Sequence, residues 1–280
     1  MFYLCIEIFL SCVETFDIIY PSVALKPYIR YYWYLKTDNA EPVYERVIPT
    51  GCISMVFHKA NPIYSATEGI YQPQTFVCGL SDDFTDLKTW GQVEMIVVVF
   101  EPFGAKSFFS IPVNEFYNES VPVDDIGNLL LRDLQYRIQD EPDTARCIKF
   151  IEDYLIRRLY RTVDYNYKRM SAVIDVINHK PQANIHDLAQ TACLSYKQFG
   201  RVFTEYIGAK PKEFSRVVRF QRALYLMQTR QESNLTQLSF ESGYYDQPHL
   251  IREFKAFSGY TPTELIAVCP PYSDYFSTLR

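Results

Sequence analysis

The chain has 280 residues, 48% hydrophobic and 22% charged, with a net charge of −5. These values exclude a disordered chain and leave room for two cores. The charge is uneven: Tyr165–Ile266 holds 13 Lys and Arg against 9 Asp and Glu, while the remainder holds 15 against 24, so an acidic body carries a mildly basic module.

The apolar start of the chain lacks a basic leader, and Glu7 and Glu14 interrupt it, so no secretory signal is expected. No later segment reaches the length of a membrane span. Up to about residue 120 the pattern predicts short strands, at Tyr28–Leu35, Cys52–Phe57, Thr75–Gly79 and Val93–Phe100. The last is a near-continuous apolar run, as for a strand buried on both faces. Turn pairs such as Thr50-Gly51, Asn61-Pro62 and Gln72-Pro73 separate them, which suggests a small antiparallel barrel or sandwich. From Asp124 the period becomes helical. Ile126, Leu129, Leu130, Leu134 and Ile138 share one face, and Ala145, Ile148, Ile151, Leu155 and Leu159 a second. These helices either pack on the barrel or form a dimer seam. A domain boundary is expected at Arg161–Tyr165.

Met170, Val173, Ile174 and Ile177 mark an opening helix, which Pro181 ends. One helix-turn-helix pattern then occurs twice. Arg201 and Arg252, Phe203 and Phe254, Gly208 and Gly259, Pro211 and Pro262, and Glu213 and Glu264 all lie 51 residues apart. Asn184 and Asn234 cap the first helix of each copy; Ser195, with Gln198 three residues on, and Asp246 cap the second. A connecting helix of about residues 211–229 opens on Pro211. Its Arg216, Arg219 and Arg222 cluster near one face, where they either sit over phosphates or pair with acids such as Glu213. The exposed face of the first recognition helix carries Tyr196, Lys197, Gly200, Arg201 and Thr204. That of the second carries Gln247, His249, Ile251 and Arg252. Arg pairs bidentately with guanine and Gln with adenine in the major groove.

The run Leu188-Ala189…Ser195…Phe199-x-Arg201-x-Phe203…Gly208…Pro211 resembles the first helix-turn-helix of AraC/XylS-type transcription regulators. Gly243–Lys255 with Gly259-Tyr260-Thr261-Pro262 resembles their second unit and C-terminal signature. Tyr32-Trp33, Ile48–Ile53 and Val99–Ala105 are similar to an uncharacterised N-terminal domain of such regulators, itself like the cupin sensors. The resemblance implies an α+β protein of two domains. Residues 1–163 form a β-rich, cupin-like sensor or dimerisation barrel with two trailing helices. Residues 164–268 form an all-α, homeodomain-like double helix-turn-helix, with units at about 182–208 and 234–259, and 269–280 are a tail. It further implies a bacterial regulator that places two recognition helices in adjacent major grooves of double-stranded DNA. The expected base contacts are Tyr196, Lys197, Gly200, Arg201, Gln247, His249, Ile251 and Arg252; the expected phosphate contacts are Ser195, Arg216 and Arg219. Gly200 departs from the family, which usually places a larger contacting residue there, so the second unit is expected to read DNA more richly than the first.

Chemistry of other kinds leaves no motif. His58, His179, His186 and His249 are scattered. Seven cysteines (Cys5, Cys12, Cys52, Cys78, Cys147, Cys193, Cys269) lack C-x-x-C spacing, as for reduced thiols in the cytoplasm. No phosphate loop, dinucleotide fingerprint or nucleophile elbow is present. The expectation is a regulator with no enzymatic activity, no cofactor and no metal. Its expected partners are DNA, the transcription machinery, a small-molecule effector and a second copy of the chain, with no membrane. The alternative is a small-molecule-binding or interaction protein whose helical module has lost specific DNA binding.

Overall fold

A computed structural model describes residues 13–159, 165–230 and 234–277. The apolar start and the expected boundary at 163 lie outside the described residues. Eight strands form one antiparallel sheet: β1 (Val13–Ile19), β2 (Ile29–Val47), β3 (Ser54–His58), β4 (Tyr64–Ser65), β5 (Ile70–Tyr71), β6 (Thr75–Cys78), β7 (Thr85–Phe100) and β8 (Ser120–Pro122). Their order is β1-β2-β7-β3-β6-β8, with the β4–β5 hairpin set on β7.

The four expected strands are present, but the first continues twelve residues past Leu35. The polar run Lys36–Pro42 conceals that continuation in the sequence. Inside the sheet Asn39 is buried and satisfied, donating to Thr89 Oγ1 at 3.2 Å and accepting from Thr37 Oγ1 at 3.1 Å. Pro42, which cannot donate to a ladder, falls where the β2–β7 register breaks between Asn39 and Val43. The break bends the ribbon. Trp33 and Val47 would stand about 46 Å apart on a straight strand, yet both line one hollow inside the sheet. Lining residues obey the two-residue alternation: Ser54 and Val56 on β3, Phe76 and Cys78 on β6, Met95 and Val97 on β7. The alternate set, including Tyr32, Met55, Val77 and Val98, is also buried, on the other face.

Two helices, Leu129–Asp140 and Thr144–Arg158, cover that outer face. Tyr32 donates its hydroxyl to Glu152 Oε1 at 3.3 Å, and the helices' buried residues join the core of the sheet. Packing on the barrel is thus what their apolar faces do. Leu129 and Leu130, expected on that face, are 71% and 59% exposed. Asn128 accepts from the Leu130 and Leu131 amides, and the phase this cap sets turns Leu131, Leu134 and Ile138 inward instead.

Among the described residues the second half forms helices and no strand. An opening helix, Tyr165–His179, precedes the first helix-turn-helix, Ile185–Thr191 and Tyr196–Ile207. The connecting helix Pro211–Thr229 leads to the second, Leu235–Glu241 and Gln247–Ser258, and Pro262–Val268 follows. Every expected cap is made: Asn184, Ser195, Asn234 and Asp246 each accept from a first-turn amide. Gly208 and Gly259 end both recognition helices at φ 91° and 74°, the left-handed conformation that favours glycine.

Burial does not divide at residue 163. One continuous core runs from the sheet through the first helix-turn-helix, from Leu25 to Val218; a second, smaller core belongs to the second unit and takes in Ile48 from the N-terminal half. The segment expected as a tail contributes as well. Its short helix Asp274–Ser277 inserts Tyr275, 1% exposed, beside Phe214 and beneath the Arg30 guanidinium, 4.7 Å from the ring centre. Arg30 Nη2 donates to the Tyr275 carbonyl at 2.8 Å, Tyr31 donates to Asp274 at 2.6 Å, and the Tyr275 hydroxyl donates to Asn178 at 2.8 Å. Three aromatic rings, Tyr272, Tyr275 and Phe276, among Pro, Ser and Asp give no sustained periodic signal, so the sequence hides this wedge. Tyr275→Ala should lower stability by about 3–5 kcal/mol, as large buried aromatics do on truncation. Urea unfolding measures it, and a loss below about 1 kcal/mol would mean that the segment is peripheral.

Candidate nucleic-acid interface

The first recognition helix buries Phe199, Val202, Phe203, Tyr206 and Ile207. Its outward face carries Tyr196, 65% exposed, with Lys197 and Arg201. A Cβ built on Gly200 meets nothing within 4 Å, so the glycine opens a dip in that face. Together with Thr204, Lys210 and Lys212 these residues line one shallow basic hollow. Lys210 and Lys212 flank Pro211 and were not among the expected contacts; a charged pair around a helix-opening proline was the available signal. Ser195 is held by the capping box, its hydroxyl 2.9 Å from Gln198 Oε1.

On the second recognition helix Arg252 is exposed and forms no ion pair among the described residues. Gln247, His249 and Ile251 are half-buried. The His249 ring packs edge-on against Tyr244, centroids 5.2 Å apart, and Gln247 Oε1 accepts from Thr236 Oγ1 at 3.4 Å. Tyr245, at the turn before this helix, is 84% exposed and was also unforeseen. In this conformation the richer open face is therefore on the first unit.

Arg216 and Arg219 serve a different purpose from the phosphate contact expected of them. Arg216 Nε donates to both carboxylate oxygens of Glu253, at 3.0 and 3.1 Å, and its guanidinium lies over Phe257. That hydrogen bond holds its pKa up, a direction set by the carboxylate partner. Arg219, mostly buried over Tyr244, donates to the Pro181 carbonyl at 3.3 Å. Arg222 donates to the carbonyls of Glu241 and Asn178 at 2.9 and 3.0 Å. The connecting helix thus uses its arginines to hold the opening helix and the second unit. The partner of Arg216 is 37 residues away, beyond the reach of a local charge pattern.

Both recognition helices rest their C-terminal ends on the N-terminal half. A Cβ on Gly208 would stand 3.1 Å from the Val113 carbonyl oxygen, and Lys106 pairs with Glu205 at 3.1 Å. At the other unit Arg46 Nη1 donates to the Ser258 carbonyl at 3.0 Å. Asp86 holds Arg46 through two bonds of 2.6 and 2.8 Å, and the guanidinium lies between the Phe84 and Tyr260 rings. A cation there satisfies an orphan carbonyl and the negative end of the helix dipole. Gln221 Nε2 adds a bond of 2.7 Å to the Pro49 carbonyl.

Residues 188–267 match the family described as a helix-turn-helix domain, and residues 17–122 match a domain of unknown function, DUF6597. An uncharacterised HTH-type transcriptional regulator of Haemophilus influenzae is 32% identical over 99 residues, which are 35% of this chain and 33% of that protein. The HTH-type transcriptional regulator ArgR of Pseudomonas aeruginosa is 32% identical over 79 residues, 28% of this chain and 23% of that one. The matches thus span a third or less of these relatives. Among solved structures, ToxT of Vibrio cholerae aligns with 91% of this chain and 99% of its own, at 11% identity and a TM-score of 0.44. An AraC-type DNA-binding domain-containing regulator from Chromobacterium violaceum aligns with 36% of this chain and 90% of its own, at 22% identity and a TM-score of 0.33.

Arg216→Ala should cost about 1–3 kcal/mol, because it leaves the Glu253 carboxylate without its charged donor. It should leave the salt dependence of DNA binding unchanged, whereas loss of a phosphate contact lowers the slope by about 1. A reduced slope with unchanged thermal stability would restore the phosphate role.

Proposed function

We propose, from a match to a helix-turn-helix domain at residues 188–267 behind a DUF6597 domain at residues 17–122, that the chain is a sequence-specific DNA-binding transcription regulator of the AraC type and not an enzyme. The observation that carries this reading is the orientation of the two recognition helices. Each is gripped at its C-terminal end, away from the N-terminal half from which side chains reach base edges; that half is open on the first unit and half-buried on the second. Lys197 and Arg201 on the first unit and Arg252 on the second are the best donors for guanine; Tyr196, Gln247, His249 and Ile251 complete the candidate readout. Gly200 supplies no donor and lets a base edge or backbone approach closely. Lys210 and Lys212, beside the first helix, and the Ser195 cap are placed for phosphates.

The N-terminal half is the effector-sensing part in this reading, supported by a hollow inside its sheet. The second copy of the chain, the transcription machinery and a cytoplasmic setting belong to the same proposal. Among the described residues no helix is long and apolar enough to cross a membrane.

Arg252→Ala should relax preference at one base position by about 1–3 kcal/mol while other positions hold. Binding-site selection with the parent and variant chains measures it, together with log affinity against log salt, which should fall steeply. Unchanged discrimination would remove Arg252 from the readout. Absence of duplex binding at low salt would favour a module that has lost DNA recognition.

A further inference from the structure

The hollow inside the sheet is open at one mouth and holds a cavity of about 80 Å³, and its wall is overwhelmingly apolar: Trp33, Val56, Phe76, Leu87, Met95 and Val97. On the same face of the sheet, next to the lining residues Val47 and Leu87, β2 carries an acid, Glu45. Register sets Glu45 opposite Leu87 and two residues from Val47, so its side chain leaves β2 on the face that lines the hollow. Glu45 is 5% exposed, and neither carboxylate oxygen has a hydrogen-bond partner among the described residues. Burial, with no charged neighbour contributing, pushes its carboxyl well above the usual carboxylate range. A buried carboxyl with no partner costs stability, and native chains seldom keep one without use.

The other groups of this face supply no counter-charge. His58, beside Met95, is held neutral by burial, its pKa lowered to about 4; Nε2 meets Gln72 Oε1 at 3.2 Å, and Nδ1 has no partner. Cys78 is neutral too, its thiol pushed up to about 11 by burial. Ser65 faces Leu87 from β4. The neighbouring cations Arg46 and Lys88 alternate to the opposite face, Arg46 toward Asp86 and Lys88 toward the Tyr44 and Trp90 rings. An anionic ligand would therefore meet no positive charge here. The Glu45 oxygens, left unpaired by the nearby Ser54, Ser65 and Gln72, are complemented best by an ammonium, which brings three N–H donors and a charge.

We propose that this hollow binds an apolar amine, its ammonium paired with Glu45 and its hydrocarbon body against Trp33, Phe76 and Met95. The inference rests on the sensing role of the N-terminal half and gives that role a ligand class. Binding converts a neutral acid into a carboxylate paired with the incoming cation, and the displaced proton goes to solvent. Affinity consequently rises with pH, because the ionised acid is the binding form and the amine stays protonated below about pH 10. The site also has a path to the DNA-binding half. The next residue along β2 is Arg46, which holds the second recognition helix at Ser258.

Isothermal titration calorimetry of the full chain with 2-phenylethylamine and n-hexylamine, in buffers of differing ionisation heat, tests the proposal. The expected result is binding with release of protons and affinity that rises with pH. The neutral isosteres 2-phenylethanol and 1-hexanol should bind at least tenfold more weakly. Glu45→Gln, which removes the buried acid without changing its size, should abolish proton release and weaken the amines at least tenfold. Amines and alcohols binding alike, no proton release in the parent chain, or no amine binding at all would each overturn it. Duplex binding measured on the same samples separates the readings: its loss beside intact amine binding defeats the regulator and leaves the amine site standing.

Discussion

The arrangement of this protein depends on how its two reading helices are held. Each is seated by its C-terminal end on the N-terminal half, and the two seats differ in kind. The first unit shares a continuous apolar core with the sheet, and the end of its recognition helix at Gly208 meets Ile53 and Val113, which separation would expose to water. Each buried side chain of that size is worth about 1.5–3 kcal/mol. The second unit is held chiefly by polar contacts, the Arg46 clamp at Ser258 and the Gln221 bond to Pro49, with Ile48 as its apolar anchor. A cation at a helix C-terminus contributes about 0.3–1 kcal/mol when exposed and up to about 2 when partly buried. The second unit is therefore the one that a modest free energy can release, since 1.4 kcal/mol is a tenfold change in population.

Strand β2 connects sensing and reading in this scheme. Its period of two sends Glu45 toward the hollow and Arg46 toward the second recognition helix. The bulge around Pro42 folds the strand so that Trp33 and Val47 face one space. A ligand that draws Glu45 toward itself acts one peptide bond from the clamp. Sub-ångström shifts there are enough to weaken a two-bond Arg46–Asp86 pair aimed at a single carbonyl, because hydrogen bonds decay steeply with angle.

Much of this was readable in the sequence, and the reasons are local. The helix-turn-helix units announce themselves through caps, glycines and prolines whose effect spans three or four residues, and Asn184, Ser195, Gly208, Pro211 and their counterparts all act as expected. What escaped depends on partners far along the chain. Arg216 reads as a phosphate ligand until Glu253 is beside it. Lys36–Pro42 lies beyond the strand expected at Tyr28–Leu35, and its place in the sheet shows only when Thr89 satisfies Asn39. Asp274–Ser277 reads as a tail until Arg30 and Tyr31 meet it. His249 and Gln247 read as open donors until Tyr244 and Thr236 occupy them, which shifts the more open reading surface to the first unit.

Half-site spacing tests most directly the claim that the N-terminal half sets the separation of the two recognition helices. On the selected duplex, about five base pairs inserted between the two contacted segments rotate one away from the other by half a helical turn. If both helices are held as described, affinity for this duplex should fall to that of a duplex with only one segment, and Arg46→Ala should recover part of the loss. Equal affinity of the parent chain for the original and lengthened duplexes would contradict the account, since it would mean that the two units move independently of the sheet that holds them.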